Sequence, residues 1–173
     1  NDPGFLVEAK RQKLEIEPVA AERVTSIIRD AYSMPPDIVA IDIHTHPSTE
    51  LMLAAAGAQR RAAMAKYFKR ERPAVSFEEM AAYYAERKMM AVLLNNDDET
   101  TTGIPPAPNE HLAEAQRNFP DQFVAFCGID PNKGKAAIDE LRRCHDELGM
   151  RGVGELNPAR QKYHANDPAL YPL

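Results

Sequence analysis

Ile38-Val39-Ala40-Ile41-Asp42-Ile43-His44-Thr45-His46-Pro47-Ser48-Thr49 begins as a short apolar, largely β-branched run and ends in two histidines and a proline. The apolar part reads as a buried strand. A strand alternates its side chains, so Asp42, His44 and His46 are expected on one face and Ile41, Ile43 and Thr45 on the other. Two imidazoles two residues apart at a strand's C-terminal end can converge on one metal ion. Pro47 cannot extend the ladder, which ends the strand where the histidines are needed.

The same kind of run recurs three times. Met89-Met90-Ala91-Val92-Leu93-Leu94 and Phe123-Val124-Ala125-Phe126-Cys127-Gly128-Ile129 read as the second and third strands, and Gly152-Val153-Gly154-Glu155-Leu156 as a short fourth. Helical stretches lie between them. One runs from Glu50 to about Arg72, rich in Ala, Leu, Met, Lys and Arg and stopped by Pro73. Another opens at the capping box Ser76-Phe77-Glu78-Glu79. A third runs from Asn109, taken as its cap, to Asn118. The last runs from Gly134 to Leu148, with Gly149 as its C′ residue. Strand starts 30 to 50 residues apart leave room for crossover helices. Apolar strands alternating with helices indicate a parallel sheet covered by helices, either an open doubly wound sheet or a (β/α)₈ barrel. No Gly-rich phosphate loop follows the first strand, which argues against a dinucleotide or P-loop domain.

Residues 1–37 read as an extension carrying one helix and the linker Ser33-Met34-Pro35-Pro36-Asp37, with the main domain spanning 38–173. A length of 173 residues suits one core. The formal charge of −5 argues against nucleic-acid or anionic-membrane partners. The basic cluster Arg60, Arg61, Lys66, Lys69, Arg70 and Arg72 is read as a solvated helix face. Cys127 and Cys144 do not make a disulfide framework and read as buried thiols of a reducing, cytoplasmic compartment. No apolar run reaches the length of a membrane span.

Asp42-Ile43-His44-Thr45-His46-Pro47 after an apolar strand resembles the first-strand signature of the metal-dependent amidohydrolase superfamily. Later motifs resemble its aminocarboxymuconate-semialdehyde decarboxylase-like branch. They are Asn118-Phe119-Pro120-Asp121-Gln122-Phe123-Val124-Ala125-Phe126, Ile129-Asp130-Pro131, Glu147-Leu148-Gly149-Met150-Arg151-Gly152-Val153 and Asn166-Asp167-Pro168-Ala169-Leu170-Tyr171-Pro172-Leu173. The resemblance implies a (β/α)₈ barrel of the TIM type, of which this chain holds about the first four β/α units. It also implies a divalent metal at the C-terminal mouth of the strands. Zinc is the first choice for imidazole and carboxylate ligands, with manganese and other divalent ions open. His44 and His46 are then metal ligands.

Several superfamily branches place a metal-bridging group at the end of the fourth strand, the position of Glu155. Gly154-Glu155 is also similar to the Gly-Glu pair of deoxyribonuclease-like relatives. Glu155 is therefore read as a metal ligand or as a substrate-facing or structural carboxylate. Asp42 is read as supporting a ligand or satisfying neighbouring backbone. Arg160, Gln161, His164 and Asn95 are substrate-binding candidates by position, Arg160 through a charge-assisted bond to a carboxylate. The resemblance places the general base on an eighth strand, beyond Leu173, so no catalytic residue is assigned. The function it implies is a metal-dependent hydrolase or non-oxidative decarboxylase of a small carboxylated or aromatic substrate. The alternatives are a non-catalytic fragment or interaction subunit and, third, a deoxyribonuclease-like hydrolase. Four strands leave open sheet edges, which suggests a missing second half or a fragment first, and otherwise a homo-oligomer or a complementing chain.

Overall fold

A computed structural model describes residues 38–164, 166 and 167. The extension read at residues 1–37 lies outside the described residues. Four strands form one sheet in the order β1-β2-β3-β4: Ala40–Thr45, Met89–Leu94, Phe123–Cys127 and Gly152–Val153. Every neighbouring pair is parallel. A doubly wound sheet reverses its strand order partway, whereas a barrel adds each strand beside the last. The sequential order therefore selects the barrel, and the described residues form four successive β/α units of (β/α)₈ type.

The helices are α1 (Glu50–Ala55), α2 (Ala58–Phe68), α3 (Phe77–Glu86), α4 (Glu99–Thr102), α5 (Asn109–Asn118), α6 (Lys135–Asp146) and α7 (Pro158–Gln161). A 3₁₀ turn covers Pro131–Lys133. The capping box before α3 forms as its sequence requires, Glu79 N donating to Ser76 Oγ at 3.2 Å and Ser76 N to Glu79 Oε2 at 2.8 Å. The single helix expected after Pro47 is instead two. Gly57 sits at φ +77° between α1 and α2, where a Cβ would lie 2.9 Å from Ile104 Cδ1. A residue with a side chain rarely adopts that backbone conformation, so the break belongs to Gly57.

The core lies between the outer face of the sheet and the helices. Ala91 and Leu93 of β2 and Phe123, Ala125 and Cys127 of β3 meet Tyr84 of α3, Leu112 of α5 and Cys144 of α6. Phe123 takes the centre, with Phe77, Tyr84 and Phe119 around it at ring separations of 6.1, 6.2 and 5.9 Å. Both cysteines are buried. β1 departs from the buried strand expected: Val39 and Ile43 are 73% and 75% exposed. Among the described residues it pairs on one side only, with β2, and α3 reaches only its opposite face.

Candidate metal centre

Strict alternation fails in β1. Asp42 pairs with Ala91 and Thr45 with Leu93, so three steps along β1 match two along β2. One extra residue, a β-bulge, sits between them. Asp42 and Thr45 consequently share the helix-facing side, and both reach the Tyr84 hydroxyl, at 3.0 and 3.1 Å. Asp42 is thus on the face away from the histidines rather than beside them. Its Oδ1 accepts the backbone N–H of His44 at 3.2 Å. Burial works to raise the Asp42 pKa, but the bonds from the His44 amide, Tyr84 and Thr45 prevail and hold it below the usual carboxylate value.

His44 and His46 converge. Their Nε2 atoms are 3.1 Å apart, with the rings edge to face. Glu155 Oε2 completes the group, 3.1 Å from His46 Nε2 and 3.8 Å from His44 Nε2. Two ligand atoms about 2 Å from a tetrahedral ion lie roughly 3.3 Å apart, close to these three separations. Two imidazoles and one carboxylate are also a donor set that zinc and similar ions accept. The residues fit a divalent metal. Burial is the main cause that lowers the His46 pKa, with Glu155 opposing it, which favours the neutral imidazole that ligates.

Glu155 reaches β1 because the end of β4 leans across β3. β4 pairs with β3 only at Gly152 and Val153. The chain then passes to the end of β2, where Asn95 N donates to Gly154 O at 3.1 Å and Glu155 N to Asn95 O at 2.8 Å. β3 has to yield at that level, and Gly128 allows it. A Cβ on Gly128 would lie 2.9 Å from the Asn95 carbonyl carbon and 3.0 Å from Asn96 N. This is why β4 is shorter than the Gly152–Leu156 run suggested. Asn157 Nδ2 then donates to Glu155 Oε1 at 3.1 Å, which leaves Oε2 to face the imidazoles. Asn157 also caps α7, with Pro158 following as the first helical residue. An Asn followed by Pro is a local sequence signal for such a cap.

The other site candidates are placed differently. Asn95 is almost fully buried, its Nδ2 donating to Ala107 O at 2.8 Å and Asn109 Oδ1 at 2.9 Å while Oδ1 accepts Asn96 N at 2.9 Å. Gln161 is equally buried. It donates to Asp97 O at 2.6 Å and Ile129 O at 2.8 Å, and accepts Asn157 N at 2.8 Å. Both amides are committed to main chain and neighbours, so neither offers a donor to a substrate. Asn109, read as a helix cap, is likewise an interior hub, bonded to Gly128 N at 2.9 Å, Gly128 O at 3.0 Å and Glu140 at 2.7 Å. Pro108 stands at the cap position. His164 is exposed and outside the His44–His46–Glu155 group. Arg160 pairs with Asp98.

Beside the histidines lies a cavity of about 840 Å³ between α1, α2 and the loop after β2. Met52, Met64 and Phe68 give it an apolar wall, and His46, Arg60, Arg72, Asn96, Asp98 and Arg160 a polar one. Part of the basic cluster is therefore cavity wall, not only solvated helix. Arg60 has no carboxylate at ion-pair distance among the described residues; desolvation and the neighbouring Arg160 lower its pKa, while Asp98 and Glu155 oppose them.

The amidohydrolase family profile matches residues 41–173. This chain belongs to the amidohydrolase family. Within it, the chain falls in the decarboxylase-like branch that its later motifs implied. It is 29% identical over 65 residues to the 2-amino-3-carboxymuconate-6-semialdehyde decarboxylase of Dictyostelium discoideum, a match over 38% of this chain and 18% of that protein. Among solved structures, a 4-oxalomesaconate hydratase from Rhodopseudomonas palustris is 24% identical, covering 78% of this chain and 47% of that one, with TM-score 0.45. A 2,6-dihydroxybenzoate decarboxylase from Rhizobium is 20% identical over 65% of this chain and 36% of that one, with TM-score 0.45. The chain spans less than half the length of each of these relatives. Among the described residues no helix is long and apolar enough to cross a membrane.

Proposed function

We propose that this amidohydrolase-family protein is a metal-dependent hydrolase or non-oxidative decarboxylase of a small carboxylated or aromatic substrate. The observation that carries the reading is the convergence of His44, His46 and Glu155 at the C-terminal end of the strands, each ligand atom within 4.8 Å of the others. His44 and His46 would hold the ion through Nε2, and Glu155 through Oε2. A divalent ion there supplies Lewis-acid polarisation and acidifies water. Zinc is the ion proposed first.

The chain's own residues divide the remaining tasks. Asn157 fixes Glu155, and the Asp42 carboxylate fixes the backbone of His44. The apolar wall of α1 and α2 receives the ring or hydrocarbon part of the substrate. Arg60, Arg61 and Arg70 are the lining guanidiniums left to meet its carboxylate, since Arg160 already pairs with Asp98 and Arg72 donates to His46 O. The deoxyribonuclease-like alternative suits this mouth less well, because arginines facing an apolar wall of Met52, Met64 and Phe68 fit a small organic anion.

Metal analysis of the full-length protein tests the proposal. Stoichiometric zinc or manganese is expected in the purified protein and absent from the His44→Ala/His46→Ala double variant. With metal present, turnover of carboxylated aromatic acids should be read both as CO₂ release and as hydrolysis. A wild-type protein that takes up no divalent ion when supplied with it would end the proposal.

A further inference from the structure

We infer that Tyr84, on α3, is a positioning residue for the metal centre: through Asp42 and Thr45 it holds the β1 bulge that brings His44 and His46 together. The inference rests on the metal-site reading above and adds to it a residue from a separate helix, 38 positions after His46 in the chain.

An ionised Asp42 only accepts hydrogen bonds, so the single Tyr84 O–H donates to Asp42 Oδ2, at 3.0 Å. Thr45 Oγ1, 3.1 Å from the same hydroxyl oxygen, is then the donor of its pair. Asp42 uses its other oxygen to accept His44 N–H at 3.2 Å. One phenol thus ties both ends of the bulge, residues 42 and 45, and reaches the His44 amide through one carboxylate. In an unbulged strand residues 42 and 45 point to opposite faces and could not meet one hydroxyl. A bulge re-aims the side chains next to it, and here the next side chains are the two imidazoles.

Tyr84 is well placed to hold that geometry. It is only 7% exposed and packs against Phe123, so its hydroxyl is aimed by the core rather than by solvent. Asp42 and Thr45, by contrast, stand on a strand that pairs on one side only among the described residues and whose other face is open at Ile43. The strand alone does not fix its own bulge; the helix does.

The test is zinc affinity of the full-length protein, by competition with a chelator, for wild type, Tyr84→Phe and Asp42→Ala. Phenylalanine keeps the core packing and removes only the hydroxyl. Outer partners of metal ligands usually account for about 10- to 100-fold in affinity. A loss in that range is expected for Tyr84→Phe and a loss at least as large for Asp42→Ala, with the far-UV circular dichroism of the metal-free proteins unchanged. Wild-type affinity retained within about twofold in both variants would overturn the inference and leave the metal site standing. Affinity loss that merely tracks loss of helix in the metal-free variants would overturn it too. A wild-type protein that binds no zinc or other divalent ion removes the metal reading itself, a separate outcome.

Discussion

Gln161 shows how one side chain can fix where a site residue stands. It crosses from α7 to the main chain after β2 and β3 with three hydrogen bonds, at 2.6, 2.8 and 2.8 Å, while 2% exposed. Removing a partner from a buried main-chain group costs about 1–3 kcal/mol each. Gln161→Leu is expected to destabilise the protein by roughly 3 kcal/mol, the low end for three freed groups. Urea denaturation monitored by circular dichroism reads this directly, and a change under ~0.5 kcal/mol would mean Gln161 is free for other partners. His44, His46 and Glu155 were legible in the sequence because their chemistry and their place at strand ends coincide. The side on which Asp42 stands was not, because it depends on Tyr84, which is remote in the chain. Asn95 and Gln161 read as ligand-binding groups for the same reason: an amide at a strand end looks alike whether it faces a pocket or closes a loop.

Elements depend on what packs against them, and their boundaries follow. β2 and α3 match their sequence signals because an apolar run and a capping box are local features. The two-residue β4 was not legible, since the Asn95 main chain imposes it from another segment, and the break at Gly57 was masked by the helix-forming residues on both sides of it. β3 carries the largest burden in the core through Phe123, which is 1% exposed and lies among three aromatic rings. Phe123→Ala leaves a cavity between β3, α3 and α5 that those rings fill only in part. The expected cost is about 3–5 kcal/mol. Because Phe123 is on the helix face, the loss should appear in the denaturation midpoint, with zinc stoichiometry of the folded fraction unchanged. Loss of zinc from a fully folded variant would show that the contact of Phe123 with Tyr84 is enough to empty the site, not only to weaken it.

At the scale of the whole molecule, two successive β/α units are tied by one polar network that starts under the site and ends at the surface. Asn95, at the end of β2, bonds Asn109 on α5; Asn109 bonds Gly128 after β3 and Glu140 on α6. Arg143 then joins Glu140, at 2.8 Å through both Nε and Nη2, to Glu110 of α5, at 2.6 Å. Hydrogen bonds from Arg143 are the chief cause that holds both carboxyls below their usual 4.5. A carboxylate whose folded pKa is depressed binds fewer protons when folded than when unfolded, so its contribution is complete above about pH 4.5 and is lost as pH falls through the lowered folded value. Glu110 is half exposed and solvent screens it, so Glu140 carries the larger share. The Glu140→Gln variant should therefore be less stable than wild type at pH 7 by an amount that holds down to about pH 5. Below pH 4.5 the gap should shrink as the wild type protonates and loses the same ion pair. Urea midpoints of the two proteins at pH 7, 5, 4 and 3 provide the check. A gap that stays constant to pH 3 would mean that Glu140 acts through its shape and its bond to Asn109, with no contribution from its charge.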